Sequence, residues 1–322
     1  MQKLYRVGVV LAGFAILAAT LPALAGEVVY PTRQITYLVT WDPGGQSDVE
    51  ARRQQPLLEK SLGQKVNITY KPGGAGAVGW AEMVRGRPDG YQITGINVPQ
   101  ISILPMLQDV GFKTEQMLPI NLFHWTPNLL AGRKDAPYKN AKELVEYAKA
   151  NPGKVKIAST GTNSLGHTAA MLIRKSTGIS FEYVPFTGTA PMMTALLGGH
   201  IDVAITVSSD AVSFADRVNV LGLAAEKRSE LLPNVPTMRE QGVELITGSY
   251  RGIAVPAGTP DPIVRKLERA FLEICQNAEY IETQKKGGYE PIAMGVEESK
   301  AVIAKTAALF RATFEEMGLL KK

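Results

Sequence analysis

The chain has 322 residues, a length typical of about two domains. Hydrophobic residues make up 45% and charged residues 20%, which excludes a disordered or collagen-like chain. The single cysteine, Cys275, excludes an intramolecular disulfide and a cysteine-rich zinc site. The net charge of +5 comes from dispersed Lys and Arg residues, and this dispersal argues against a nucleic-acid partner.

The first 25 residues predict a secretory signal peptide. Lys3 and Arg6 precede an apolar run over residues 7–21, and Ala23-Leu24-Ala25 supplies the small residues of a cleavage site. The run is shorter than the about 20 residues that a membrane span needs. No cysteine at the cleavage point offers a site for lipid attachment. We therefore expect a soluble protein outside the cytoplasm that is not a lipoprotein.

Beyond this segment, strands and helices alternate at intervals of about 30 residues, the pattern of parallel sheets with crossover helices. The predicted strands are Ile35–Val39, Val66–Tyr70, Tyr91–Ile96, Val155–Ala158, Glu182–Phe186, Ile201–Val207 and Val220–Ala225. The predicted helices are Val49–Leu62, Ala75–Arg85, Lys142–Ala150, Leu165–Ser176, Pro191–Leu197, Pro262–Asn277 and Glu297–Met317.

The last two helices are amphipathic, and we expect them to pack back onto the first domain. The chain then crosses between domains twice, near Asn128–Arg133 and near Ser249–Ala254. The predicted divisions are a signal peptide over 1–25, a first domain over 26–127 and 254–322, and a second domain over 128–253. Two crossings form a hinge, and the cleft between the domains is the expected ligand site.

A glycine motif at residues 74–79 raises the possibility of a dinucleotide cofactor. Gly74-Ala75-Gly76-Ala77-Val78-Gly79 matches the G-x-G-x-x-G pattern after a strand and before a helix. The acidic residue expected about 20 positions later is missing, since that strand ends at Ile96-Asn97. We therefore interpret the glycines as a tight turn with close helix–sheet packing, and predict no cofactor.

Ser164 and His167 suggest an enzymatic alternative, a secreted α/β hydrolase with an activated serine. A nucleophile elbow needs G-x-S-x-G, but Thr162 stands where the first glycine belongs. Ser164 is interpreted instead as the N-cap of a helix, with His167 in its first turn. His124 and His200 lie far from any acidic cluster, so we interpret both as structural and predict no metal site.

Two glycine- and hydroxyl-rich loops suggest an anion site. Pro43-Gly44-Gly45-Gln46-Ser47-Asp48 and the segment 159–164 each precede a helix, and neither contains Lys or Arg. Backbone N–H groups and the positive end of the helix dipole bind a carboxylate without a basic side chain. Facing each other across a cleft, the two loops would hold an anion and release it. The simpler interpretation, two ordinary capped helix starts, stays open.

Short motifs follow one another along essentially the whole mature chain. They are Tyr30-Pro31, Pro43-Gly44-Gly45, Leu62-Gly63-Gln64, Pro72-Gly73-Gly74-Ala75-Gly76, Pro88-Asp89-Gly90-Tyr91, Ala150-Asn151-Pro152-Gly153-Lys154, Val184-Pro185-Phe186-Thr187-Gly188, Leu196-Leu197-Gly198-Gly199, Leu232-Pro233-Asn234-Val235-Pro236-Thr237 and Pro256-Ala257-Gly258-Thr259-Pro260. In this order the chain resembles the Bug-type periplasmic receptors of tripartite tricarboxylate transporters. The resemblance implies a two-domain α/β fold of the periplasmic-binding-protein (Venus flytrap) type, with a mainly parallel sheet flanked by helices in each domain.

The resemblance also implies a function without catalysis. Such a receptor binds a small organic carboxylate in the periplasm and delivers it to the integral-membrane subunits of the transporter. A receptor that reports to a signalling sensor would use the same closed state, so that alternative stays open. We expect a monomer without a nucleic-acid partner.

The ligand loops of the family correspond to Pro43–Asp48 and Thr160–His167, and polar residues at neighbouring strand ends extend the candidate site. It comprises Gly44, Gly45, Gln46, Ser47, Asp48, Asn97, Thr160, Thr162, Asn163, His167, Thr187, Ser208 and Ser209. Gln46 departs from the small residue usual in the family. Arg251 fits either a bidentate pair with a second carboxylate or a structural ion pair at the hinge. Asp210 fits either an ammonium group or a helix cap.

Overall fold

The computed structural model describes residues 29–162, 164–214 and 216–320. The predicted signal peptide, residues 1–25, lies outside these ranges. Within the described ranges, no helix has both the length and the apolar character needed to cross a bilayer.

The first lobe begins with three parallel strands in the order β2-β1-β3, joined by crossover helices. This part of the lobe consists of β1 (Ile35–Val39), α1 (Gln46–Leu62), β2 (Val66–Tyr70), α2 (Ala77–Arg85), β3 (Gln92–Val98) and α3 (Gln100–Leu107). The strands predicted at β1 and β2 are confirmed residue for residue. Gly63 closes α1 in the left-handed conformation, as expected of a C-cap glycine.

Two long strands, β4 (Met117–Arg133) and β9 (Gly248–Pro256), connect the lobes. β4 pairs antiparallel with β9 as far as Pro127, opposite Gly248, and from Asn128 onward it pairs with strands of the second lobe. β9 lies between β4 and β3 over its length. The chain therefore rejoins the first sheet at Gly248, whereas the predicted second domain extends to residue 253. The domain division itself stays a prediction.

The second lobe repeats the parallel pattern in the order β6-β5-β7. Its elements are α4 (Ala141–Ala150), β5 (Lys156–Thr160), α5 (Leu165–Thr177), β6 (Glu182–Phe186), α6 (Thr189–Leu197), β7 (Val203–Val207), α7 (Ser208–Phe214) and β8 (Val218–Leu223). β7 and β8 both pair antiparallel with the second half of β4.

The C-terminal segment returns to the first lobe, as predicted. It consists of α8 (Asp261–Cys275), α9 (Ala278–Lys286), β10 (Glu290–Met294) and α10 (Val296–Glu316), and β10 pairs antiparallel with β4. Both sheets are therefore mixed rather than mainly parallel. The reason is that β4 serves both sheets and is flanked by strands that run in the opposite direction.

Helices cover both faces of each sheet and bury separate apolar cores. Tyr37, Leu58 and Phe271 belong to the core on the α1 and α8 side of the first sheet, and Trp80 belongs to the core on the opposite side. The lobes also touch each other away from the hinge. Leu165, at the start of α5, packs against a cluster of α3 and α10 side chains. This contact brings the first turn of α5 next to the first lobe.

Candidate functional site

The loop between β1 and α1 is anchored by the buried carboxylate of Asp48. Its Oδ2 accepts a hydrogen bond from Gly44 N at 2.7 Å, and its Oδ1 accepts one from the Tyr70 hydroxyl at 2.8 Å and lies 2.8 Å from Arg52 Nε. Burial raises the pKa of Asp48, but these hydrogen bonds and the Arg52 charge outweigh it and hold the pKa below its usual range. Both carboxylate oxygens therefore have protein partners.

The first turn of α1 is not capped by a side chain. Its N-cap residue, Gly45, has none, and Gly44 adopts a positive φ of 81° that glycine tolerates without strain. Gln46, in the first turn, hydrogen-bonds Tyr289. Burial raises the pKa of Tyr289, and the contact with Gln46 lowers it by a smaller amount. No N-cap side chain therefore accepts a hydrogen bond from the first backbone N–H groups of α1, which form the positive end of the helix dipole.

Ser47 and Asn97 line a small cavity with mixed polar and apolar walls beneath α1, so the structure brings these two candidate residues together. The cavity has a volume of about 10 Å³, and Arg251 and Thr40 also line it. Asn97 Oδ1 accepts a hydrogen bond from Trp41 Nε1 at 2.9 Å. The buried atoms Thr40 Oγ1 and Arg251 Nε have no hydrogen-bond partner among the described residues. The space is enough for about one water-sized group.

A chain of hydrogen bonds leads from Arg251 into the first lobe. Its Nη1 lies 3.2 Å from His124 Nε2, and His124 Nδ1 lies 2.8 Å from Gln284 Oε1. Gln284 Nε2 in turn donates to Glu50. Since Arg251 is a donor and Gln284 Oε1 an acceptor, the network assigns the proton of His124 to Nδ1. The ion pair considered for Arg251 at the hinge is not formed within the described ranges.

Burial sets the charge states in this network. It lowers the pKa of Arg251 to about 10, although the charges of Tyr289 and Glu50 act in the opposite direction. Burial, followed by the Arg251 charge, also holds the pKa of His124 well below its usual value. At neutral pH the guanidinium is therefore charged while the imidazole beside it is neutral.

In the second lobe, Ser164 caps α5, which confirms its interpretation as an N-cap. Its Oγ accepts a hydrogen bond from His167 N and donates one to Gly161 O, both at 3.1 Å. The Tyr183 hydroxyl donates to Gly161 O at 2.5 Å and lies 2.6 Å from Ser159 Oγ. The serine hydroxyl therefore serves the backbone of the loop, which is the capping geometry rather than that of a nucleophile elbow.

The other candidate residues of this loop differ in exposure. The His167 ring stacks on Tyr183 with 4.2 Å between ring centroids, and burial, followed by the Arg174 charge, lowers the His167 pKa. Thr160 and Thr162 are exposed, and Asn163 lies outside the described residues. The loop thus exposes the hydroxyls of Thr160 and Thr162, and the stacked rings of Tyr183 and His167 support it.

The remaining candidates follow β6 and β7. Thr187 is exposed in the turn before α6, while Ser209 is half-buried in the first turn of α7. Ser208 is buried, and its Oγ donates to Gly288 O at 3.3 Å, so it links the second lobe to the segment before β10. Asp210 accepts a hydrogen bond from Thr206 Oγ1 at 2.5 Å. Ser208 and Asp210 therefore make contacts within the protein.

A much larger cavity, of about 730 Å³, lies elsewhere, and its lining includes none of the candidate residues. Side chains of α10 and β10 form apolar walls, and basic residues lie among the lining. Two of these, Arg228 and Lys305, pair with Glu240 and Glu226. A third basic residue of the lining, Lys227, forms no ion pair within the described ranges, so charge pairing does not distinguish the two cavities. We place the site at the smaller cavity because the uncapped first turn of α1 and the unpaired Arg251 Nε meet there.

The described part of the chain contains no group of three or more His, Cys, Asp and Glu side chains arranged to hold a metal ion. The polar groups gathered near Ser47 are a hydroxyl, an amide, a guanidinium and backbone N–H groups. These groups bind anions by hydrogen bonding.

Comparisons with known proteins agree on one family. The model of the "Tripartite tricarboxylate transporter family receptor" matches residues 50–319. The "UPF0065 protein in gbd 5'region" of Cupriavidus necator is 32% identical over 319 residues, which covers 98% of this chain and 97% of the relative.

Solved structures of similar proteins share the fold. A TctC solute-binding protein from Polaromonas, solved without ligand, has a TM-score of 0.83 at 28% identity and covers 89% of this chain and 100% of its own. A Rhodopseudomonas palustris protein solved with adipate has a TM-score of 0.74 at 25% identity, with coverage of 90% and 99%. MatC from the same organism, solved with malate, has a TM-score of 0.66 at 25% identity, with coverage of 89% and 98%. The predicted two-domain periplasmic-binding-protein fold is thereby confirmed.

Proposed function

The chain belongs to the tripartite tricarboxylate transporter receptor family, and from this premise we propose that it captures a small organic carboxylate in the cleft between its lobes and delivers it to the membrane subunits of such a transporter. The family consists of periplasmic solute-binding receptors, so the protein is a receptor and not an enzyme. What we propose is that its ligand is a small organic carboxylate and that its partner is the membrane part of such a transporter.

The observation that carries the proposal is the concentration of anion-binding groups around Ser47. The first turn of α1 has no side-chain cap, and the charged Arg251 lines the same cavity as Ser47. A carboxylate at this position accepts hydrogen bonds from backbone N–H groups and benefits from both the helix dipole and the guanidinium charge. The carboxylate of the loop itself, Asp48, is already paired with Gly44 N, the Tyr70 hydroxyl and Arg52.

The second lobe supplies the opposite wall of the proposed site. Thr160 and Thr162 present exposed hydroxyls in the loop before α5, and Ser164 with Tyr183 holds that loop in shape. Closure of the lobes would remove water from the carboxylate and strengthen its hydrogen bonds. A ligand that binds the closed state more tightly shifts the protein toward closure by that difference in affinity.

Two similar proteins support a carboxylate as the class of ligand. The Rhodopseudomonas palustris structures of this fold hold adipate and malate, both organic carboxylates. Their identity to this chain is 25%, so we transfer the class of ligand and not its identity.

A thermal-shift screen of the mature protein tests the proposal. The panel contains linear and branched carboxylates, with amino acids and neutral sugars as comparison classes. A ligand at 100 times its dissociation constant stabilises the folded state by about 2.7 kcal/mol, which raises the melting temperature measurably. We expect shifts for one or a few carboxylates and none for sugars.

Ligand carried through purification would hide such a shift, so mass spectrometry of the denatured protein accompanies the screen. An empty protein that responds to sugars but to no carboxylate would contradict the proposal. Delivery is tested separately, by uptake of the radiolabelled carboxylate into cells that make the membrane subunits. Uptake should require this receptor.

A further inference from the structure

We propose that a cavity between α3 and α10 is a second ligand site in the first lobe, and that it takes an amphipathic anion with an apolar chain and a single charged head. The cavity has a volume of about 550 Å³, within the range of small-molecule sites. None of the candidate residues of the carboxylate site lines it. The inference therefore goes beyond the proposed function and does not depend on it.

The cavity lies on the face of the first sheet opposite α1. Its lining residues Ile101, Met117 and Ile303 belong to the same apolar core as Trp80, whereas α1 packs in the core on the other face. The part of the first lobe that forms the proposed carboxylate site is the first turn of α1. The sheet therefore separates the two sites.

The side of α10 that faces the cavity is apolar in its middle and basic at both ends. Lys300, Ala304, Ala307 and Arg311 line the cavity at spacings of three and four residues, so they share one face of the helix. This face is about 16 Å long, at 1.5 Å per residue. The two alanines project only a methyl group and leave room for an apolar chain along the helix.

A hydrogen bond within the protein fixes the opposite wall. Pro105 in α3 lacks the backbone N–H that would bond to the carbonyl of Ile101, four residues earlier. Thr114 Oγ1 donates to Ile101 O instead, at 2.8 Å. This bond holds the turn before β4, and with it the neighbouring Lys113, against α3. All four residues line the cavity, so its wall is in place without a ligand.

The hydroxyl of Ser102 is the observation that points to a bound molecule. Ser102 lines the cavity from α3 and is 1% exposed, yet its Oγ has no hydrogen-bond partner among the described residues. A serine within a helix can donate to the carbonyl four residues earlier, and Ser102 makes no such bond. An unpaired buried hydroxyl is costly, and an acceptor atom on a ligand would remove that cost.

The charged side chains around the cavity favour an anion. Three basic residues, Lys113, Lys300 and Arg311, line it together with one acidic residue, Glu115. Lys300 pairs with Glu297 at 2.7 Å, whereas Lys113 and Arg311 form no ion pair within the described ranges. Both of these unpaired cations are exposed. Exposed cations at the rim of an apolar cavity suit a molecule whose chain is buried and whose negative head stays near the surface.

Three simple probes test the site in the wild-type protein. Octanoate has both the chain and the charged head, octanol lacks the charge, and acetate lacks the chain. In titration calorimetry we expect octanoate to bind saturably, at least tenfold more tightly than octanol, and acetate not to displace it. Affinity should rise about threefold for each methylene from hexanoate to octanoate, because partly buried CH₂ groups stabilise the complex. Binding that does not saturate, or equal affinity for octanol, would overturn the inference.

Two neighbouring alanines of α10 assign the binding to this cavity. Ala307 lines it, whereas Ala308 is exposed and lines neither this cavity nor the larger one. Ala307→Phe should weaken octanoate binding at least tenfold, and the matched control Ala308→Phe should stay within twofold of the wild type. If Ala307→Phe keeps the wild-type affinity, octanoate binds elsewhere and the inference is wrong. Circular dichroism checks folding, and Ala304→Leu, at an exposed position of the same wall, is used if Ala307→Phe does not fold.

Charge and hydroxyl variants test the polar contacts. Lys113→Gln combined with Arg311→Gln should weaken octanoate binding about tenfold and leave octanol binding unchanged. The matched control, Lys266→Gln combined with Arg269→Gln, removes two exposed cations of α8 and should change neither. Ser102→Ala should weaken octanoate binding about threefold without lowering the free energy of unfolding, because its hydroxyl has no protein partner to lose. Unchanged octanoate affinity in both the charge variant and Ser102→Ala would overturn the inference.

Discussion

Replacing Asp48 with alanine tests whether this buried carboxylate holds the glycine loop of the site. The variant removes an acceptor for Gly44 N and for the Tyr70 hydroxyl, and it removes the ion pair with Arg52. We expect a less stable protein whose ligand loop is also less ordered.

The magnitude follows from the three contacts. Loss of a side-chain cap on a backbone N–H costs about 1 kcal/mol, and loss of the charged hydrogen bond to the half-buried Tyr70 costs about 1.5 kcal/mol. The Arg52 side chain is 60% exposed, so its ion pair contributes less than about 1 kcal/mol. The free energy of unfolding should therefore fall by about 3 kcal/mol.

Urea unfolding of Asp48→Ala and of the matched control Arg52→Ala separates these contributions. The control loses the exposed ion pair and the exposed hydrogen bond from Arg52 Nη2 to the Tyr70 hydroxyl but keeps the Asp48 contacts to Gly44 N and Tyr70, so its free energy of unfolding should fall by about 1 kcal/mol. Titration calorimetry with a carboxylate identified by the screen should show weaker binding for Asp48→Ala. If this variant stays within about 0.5 kcal/mol of the wild type, Asp48 does not anchor the loop and the reasoning is refuted.

Two further variants test the supports of the site. The buried, neutral His124 resists protonation while the unfolded chain accepts a proton below about pH 6.5, so stability should fall on acidification by up to about 1.4 kcal/mol per pH unit. His124→Gln should reduce this slope in urea titrations at pH 5 to 7, and an unchanged slope would show that burial of this imidazole does not set it. Tyr183→Phe removes the hydroxyl that contacts Ser159 and Gly161, so the free energy of unfolding should fall by about 1 kcal/mol and carboxylate binding should weaken. Unchanged stability and affinity would show that this hydroxyl does not support the loop.

The parallel strands were predictable from the sequence because each is a short apolar or β-branched run with turn residues at its ends. Ile35–Val39, Val66–Tyr70 and Glu182–Phe186 agree residue for residue with β1, β2 and β6. Burial imposes this composition on the central strand β1, whereas β2 and β6 are edge strands that are mostly half-buried or exposed and are marked by their β-branched and aromatic residues. The local pattern therefore carried enough information for these elements.

The strand β4 escaped prediction because its sequence contains Pro119 and Pro127. Proline lacks a backbone N–H and usually argues against an interior strand. The pairing with β9 shifts register between Pro119 and Asn121, and Pro127 lies where β4 passes from one sheet to the other. Both prolines thus fall at irregular positions of a continuous strand, which only the tertiary pairing identifies.

The loops of the candidate site could be predicted from short sequence patterns. The hydrogen-bond network from Arg251 to Glu50 could not. Ser164 was identifiable as an N-cap because it directly precedes a helix. Its hydroxyl accepts a hydrogen bond from the backbone N–H of His167, three residues later. The contact between Glu50 and Gln284 joins residues 234 positions apart, and His124 and Arg251 enter the network through strand pairing. No spacing rule links such residues before the sheet and its helices are assembled.

A crystal structure of the mature protein with its best-binding carboxylate tests the central claim most directly. The account predicts a carboxylate against the first turn of α1 beside Gly45 and Ser47, with a wall of the site from the loop before α5. A ligand seated in the larger cavity of about 730 Å³ next to α10, with the Ser47 loop empty, would contradict it.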